Sequence, residues 1–219
     1  MPLDRPLVVY TNHPSWWDPA LFIVLHSALF AGRAGFGPMD EAALERYGFM
    51  RRIGIFGIEP AGRRGAAQFL KASSKILAQP ATMLWVTAQG AFTDARVRPV
   101  RLQPGVAHLM QREPRLIAIP LAVEYCFWDE RFPEALCRFG PPLADGMAEG
   151  AGGWQQFLEE RLADSMDTLA DDAIARDPDR FQTVLGGRVG IGGVYDVWRR
   201  LRASVRGEVF DPAHGRGER

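Results

Sequence analysis

A chain of 219 residues with 47% hydrophobic side chains can bury the core of one α/β domain, or of two small ones at most, which excludes disorder as its dominant state. Its 26 basic residues balance its 26 acidic ones, which argues against a protein that grips nucleic acid through bulk charge. The basic residues are nearly all arginine, Lys71 and Lys75 being the only lysines, so a few local sites for phosphate or carboxylate stay open.

The first strand is expected over Leu7 to Thr11, an apolar run. The loop Asn12-His13-Pro14-Ser15-Trp16-Trp17-Asp18 follows, and Pro19 opens an apolar helix to about residue 31, with Gly32 expected to end it. That segment is apolar on all sides, so it should be buried or pressed against lipid. It is too short for a membrane span of about 20 residues. With His13 in the loop and Asp18 at the helix start, a carboxylate can be set against an imidazole. Such a carboxylate orients the ring and raises its basicity, the arrangement of a general base for an alcohol. The same residues also read as a plain helix start, Asp18 at the N-cap and Pro19 at N1, and one carboxylate can do both. Trp16 and Trp17 either shape a groove beside His13 or belong to the core.

Further along, residues 40–47 read as a short helix with Asp40 as a cap, and 53–59 have strand composition. Residues 62–79 form an amphipathic helix: Ala66, Phe69, Leu70, Ser73, Ile76 and Leu77 share one face, and Pro80 stops it. Strands are expected over 82–87, 116–125 and 136–139, and a helix over 105–111. Strands alternating with helices predict an α/β fold: a single domain with a mixed, mostly parallel sheet flanked by helices. Sites in such sheets gather at the carboxyl ends of strands, so the loops carrying His13 and Gln89-Gly90 should share one edge.

The C-terminal part is expected to be helical. Residues 154–174 carry the apolar stripe Trp154, Phe157, Leu158, Leu162, Met166, Leu169 and Ala170 against a solvated acidic face. A glycine-rich joint spans 186–193 and lacks a preceding strand, so it is no dinucleotide site. Residues 194–206 form a basic amphipathic helix with Trp198, suited to an anionic membrane surface or to packing on the domain. The domain is expected over 1–208, with a motif core of about 7–140 and a helical part over 150–208, and a disordered tail over 209–219. Cys126 and Cys137 make neither a disulfide framework nor a metal-ligand spacing, and read as reduced core residues. No secretory signal is expected, because Asp4 and Arg5 come early and no apolar core precedes Asn12. The expected location is the cytoplasm, with peripheral attachment to the inner face of the cell membrane left open.

In order along residues 7–125, several segments resemble the glycerolipid acyltransferase superfamily, which includes the lysophosphatidic acid acyltransferases. Asn12, His13 and Asp18 match its first motif, Asn-His followed by four residues and Asp. The resemblance implies that His13 activates the acceptor hydroxyl and that Asp18 supports it. Gly54 to Glu59 match the second block, but Pro60 stands where an acceptor-binding arginine is expected, and Arg63 and Arg64 follow within a turn as substitutes. The third block keeps Gly90 but carries Gln89 in place of its glutamate. The stretch from Arg98 through Arg101 to Gly105 resembles the next basic segment, and Ile117-Ala118-Ile119-Pro120-Leu121 the fourth block. The departures at Pro60 and Gln89 open the acceptor to lipid alcohols without a glycerol phosphate head.

The implied chemistry is acyl transfer from acyl-CoA or an acyl carrier protein to a lipid hydroxyl, by direct attack without an acyl-enzyme. Backbone N–H groups near Gly90 are expected to hold the oxyanion, and Arg63, Arg64, Arg96, Arg98 and Arg101 the substrate phosphates. Gln89 and Gly90 join the expected substrate contacts. No metal and no tightly bound cofactor are expected. The partners are the thioester donor, the lipid acceptor and a membrane surface, and not nucleic acid. Two other outcomes stay open: a non-catalytic lipid-binding or membrane-docking protein on the same fold, and hydrolysis of the thioester by water.

Overall fold

The computed structural model describes residues 3–59, 62–128 and 132–187. The helix expected over 194–206, the tail over 209–219, the joint from residue 188 onward and Pro60 lie outside them. Among the described residues six strands form one sheet in the order β3-β2-β4-β1-β5-β6. They are β1 (Leu7–Thr11), β2 (Ala34–Asp40), β3 (Ile55–Ile58), β4 (Thr82–Thr87), β5 (Ile117–Cys126) and β6 (Glu134–Phe139). All neighbours pair in parallel except β5 and β6, which are antiparallel. The helices are α1 (Asp18–Leu29), α2 (Glu41–Arg46), α3 (Gly62–Leu77), α4 (Gly105–Arg112) and α5 (Gly150–Ala175). The described residues thus form a single α/β domain with a mixed, mostly parallel sheet flanked by helices.

The apolar runs of the central strands are buried on both faces, and the period of two divides their side chains between two core layers. Leu7, Val9, Met83, Trp85, Ile117 and Ile119 meet Phe22 and Leu25 of α1. Val8, Tyr10, Leu84, Val86 and Ala118 meet residues of α3, α4 and α5. Burying a side chain such as Leu25 contributes about 1.5–3 kcal/mol. Tyr10 also donates its hydroxyl to the Leu158 carbonyl at 3.2 Å, which ties α5 to β1.

Several local expectations need correction. Strand β2 was hidden by Gly35, Gly37 and Pro38, residue types that strands usually avoid. Tertiary packing requires them: a Cβ on Gly35 would come within 2.8 Å of the His26 ring, and one on Gly37 within 3.1 Å of the Trp85 carbonyl oxygen. Pro38 sits where β2 pairs with β3 alone. The segment expected as strand from residue 53 begins with a 3-10 turn over Gly48–Ile53, and Gly54 at φ 91° releases the chain into β3. Helix α1 ends at Leu29 with Phe30 as its cap, so Gly32 does not terminate it. Its N-cap is Trp17, not Asp18, which is the first helical residue. In α3, Ala66 is exposed and Gly65 is buried instead, since a Cβ there would strike the Glu59 carbonyl oxygen at 2.0 Å. Asp40 does cap α2, accepting from the Ala43 N–H at 2.9 Å. Among the described residues no helix is long and apolar enough to cross a membrane.

Candidate active site

Thr11 pairs with both Thr87 and Leu121, so β1, β4 and β5 end side by side. The loop after β1 leaves the sheet at its carboxyl edge, where such sheets place their sites. Asn12 begins this loop and stays fully buried. Its side-chain N–H donates to the Val123 carbonyl and its side-chain oxygen accepts from the Val123 N–H, both at 2.9 Å. The side-chain amide therefore acts as one more peptide unit of β1, and it holds the loop to β5.

His13 comes next, with Nδ1 2.6 Å from Asp18 Oδ2. The Asp18 side chain is fully buried, whereas that of His13 is 17% exposed and keeps some access to solvent. Asp18 accepts three hydrogen bonds. Oδ2 takes the His13 ring and, at 3.4 Å, the Ser15 N–H, while Oδ1 takes the Tyr125 hydroxyl at 2.8 Å. This carboxylate does no capping of α1, because its oxygens turn back to the loop and across to β5. With an Asp18 oxygen 2.6 Å from Nδ1, the neutral ring carries its proton on Nδ1 and keeps the lone pair on Nε2. Burial, and then the Asp18 hydrogen bond, push the Tyr125 phenol well above its usual range. Burial and the same carboxylate push the Cys137 thiol up to about 12.

The turn after β4 completes the wall. Gln89 Oε1 accepts the His13 backbone N–H at 2.8 Å, and the Thr93 N–H donates to the His13 carbonyl at 2.9 Å. Phe92 lies against the imidazole with centroids 4.4 Å apart. Gly90 takes φ 75°, which favours glycine, and a Cβ there would meet Gln103 Cγ at 2.8 Å. Of the N–H groups near Gly90 expected to hold the oxyanion, that of Gly90 itself donates to the Thr87 carbonyl at 3.1 Å and closes the turn.

The structure brings His13, Asp18 and Gln89 together and takes the arginines elsewhere. Arg98 binds the Asp167 carboxylate of α5 and the Ala95 and Val97 carbonyls. Arg101 pairs with Glu159 at 3.1 Å, Arg96 with Asp94 at 2.7 Å, and Arg64 with Glu59 at 3.0 Å. Arg63 lies exposed in the first turn of α3, which follows β3, three strands from β1. At the usual strand spacing that is about 14 Å across the sheet. The acidic face of α5 is thus only in part solvated: Asp167 and Glu159 anchor the segment around residues 98–102, and Asp172 binds Arg138 and Arg180. A cavity of about 250 Å³ beneath Arg96 and Arg98 opens against Glu124 and Met166, on the opposite side of β5 from Tyr125.

Tyr125 and Phe92 are not among the residues that the sequence motifs mark. The one signal for Tyr125 was its place at the end of an apolar strand, in phase with Leu121 and Val123. Trp16 and Trp17 stack on each other with centroids 4.4 Å apart and stand 68% and 54% exposed, so they are not core residues. Ile23 of α1 and Phe92 of the turn after β4 are exposed as well. No protein-family profile matches the chain, and none of the curated proteins matches it.

Proposed function

We propose that the protein transfers an acyl group from a thioester of coenzyme A or an acyl carrier protein to the hydroxyl of a lipid alcohol, with His13 as general base. The observation that carries this reading is the 2.6 Å contact between His13 Nδ1 and a fully buried Asp18 whose other oxygen is also occupied. Nε2 takes the hydroxyl proton as the oxygen attacks the thioester carbonyl carbon. The tetrahedral intermediate then collapses, the C–S bond breaks, and the leaving sulfur takes the proton from Nε2, which releases the free thiol and returns His13 to its neutral form. Asp18 keeps the ring in the productive tautomer and stabilises the imidazolium between these steps. The ordered sequence motifs support the acyltransferase chemistry, and the exposed Trp16, Trp17, Ile23 and Phe92 support an apolar acceptor.

Gln89 favours a second reading, a lipid-binding protein without turnover, because its side-chain oxygen is directed to the His13 main chain rather than to a substrate. The deciding experiment incubates the purified protein with acyl-CoA or acyl carrier protein and a lipid extract, and reads the lipids by mass spectrometry. A new acylated lipid that disappears with His13→Ala supports acyl transfer. Liposome binding without product supports the second reading, and thiol release without an acylated lipid means hydrolysis by water at the same dyad.

A further inference from the structure

We propose that Tyr125 is a positioning residue of the base. By donating to Asp18 Oδ1 it holds Oδ2 on His13 Nδ1 and tempers the carboxylate, so that the ring keeps its proton there. The proposal deepens the reading of His13 as a base and rests on it.

The geometry makes Tyr125 more than a packing residue. Asp18 is fully buried, and Tyr125 supplies the hydrogen bond to one of its two oxygens at 2.8 Å. A buried carboxylate oxygen without a donor is costly, and the carboxylate would recover that loss by binding the imidazolium more tightly. The phenol is well suited to prevent this. Burial and Asp18 both disfavour its ionised form, so it remains a donor wherever the imidazole titrates. Its attachment is rigid as well. Tyr125 lies two residues beyond Val123, whose N–H and C=O are both bound by the Asn12 side chain. The links His13–Asp18, Asp18–Tyr125 and Val123–Asn12 therefore close a ring through the main chain of β5 and the loop after β1.

The other groups packed on this pair leave the task to Tyr125. From β6, Cys137 feels the Asp18 charge but keeps its thiol neutral, at about 12. From the turn after β4, Gln89 binds the His13 main chain and Phe92 lies on the ring. Within the loop itself, the Ser15 N–H reaches Oδ2 at 3.4 Å.

The test is Tyr125→Phe in the full chain. It is read by the NMR titration of the His13 ring and by the pH profile of kcat/KM for thioester turnover. Without the phenol, Asp18 becomes a stronger partner for the imidazolium, so both the titration and the acid limb of the profile move to higher pH. Turnover should fall about tenfold at little change in KM for the donor, a part of the roughly 10²–10⁴ that a general base contributes. An unmoved titration in a folded variant overturns the proposal. Should Tyr125→Phe not fold, 3-fluorotyrosine placed at position 125 keeps the shape and strengthens the donor. The shifts must then run to lower pH, and their absence overturns the proposal equally. The titration needs no turnover, so the two readings fail separately. Movement in a protein that acylates nothing refutes the function and keeps the link, whereas turnover without movement refutes the link alone.

Discussion

The side chain of Asn12 binds Val123 as a neighbouring strand would, donating to its carbonyl and accepting from its N–H, both at 2.9 Å. Residue and partner are essentially without solvent contact, so truncation strands two main-chain groups in the interior. Asn12→Ala should cost at least about 2 kcal/mol, given about 1–3 kcal/mol for each buried group left unsatisfied. Asn12→Asp should be no better, because its carboxylate faces the Val123 carbonyl. Urea unfolding measures both, and a loss well under 1 kcal/mol for Asn12→Ala would show that the clamp is dispensable.

Replacing His13 by alanine removes the base and should lower thioester turnover by about 10²–10⁴. Asp18→Asn tests the partner. A carboxamide can offer its NH₂ to Nδ1, which sets the ring in the tautomer with the lone pair on the wrong nitrogen. Turnover should fall by a comparable factor with the fold retained, as read by circular dichroism and steady-state rates together. Full activity in Asp18→Asn would remove the dyad from the mechanism.

Trp16 and Trp17 stand 68% and 54% exposed, so changing them should move stability by no more than about 0.5 kcal/mol. The double alanine variant should nonetheless lose turnover on a long-chain lipid alcohol in vesicles while keeping it on a short soluble alcohol. Equal losses on both would show that the pair acts on the dyad and not on the lipid.

The two cysteines give the fold a dependence on alkali. Burial raises Cys137 from the usual 9.0 to about 12 and Cys126 to about 11. The folded chain therefore holds more protons than the unfolded one above pH 9, so this part of its stability is complete below that point and is lost as pH rises toward 12. Thermal unfolding followed upward from pH 9 should show a falling midpoint, and Cys137→Val should flatten the fall. An identical slope in the variant would assign the effect to other groups.

The contrast between Arg98 and Asp40 shows what could be read in advance. Asp40 caps α2 through the Ala43 N–H, three residues on, a bond that local chemistry dictates. Arg98 stood in a basic segment suited to phosphate, yet its guanidinium meets Asp167, 69 positions away, and no local rule carries that information. Gln89 is intermediate: its place after β4 was legible, but its hold on the His13 N–H depends on β1 and β4 being neighbours.

By itself, the sequence determined the elements whose cause is local. Unbroken apolar runs made β1, β4 and β5, helical spacing made α3 and α5, and five positions in one tight loop set His13 and Asp18 within reach of each other. Only the tertiary structure decided that β2 is a strand, because its glycines answer to His26 and Trp85 rather than to propensity. It also decided what Asp18 and Asn12 touch on β5. Those contacts join residues 107 and 111 positions apart, and such pairs exist only once the sheet has brought the ends of β1 and β5 together.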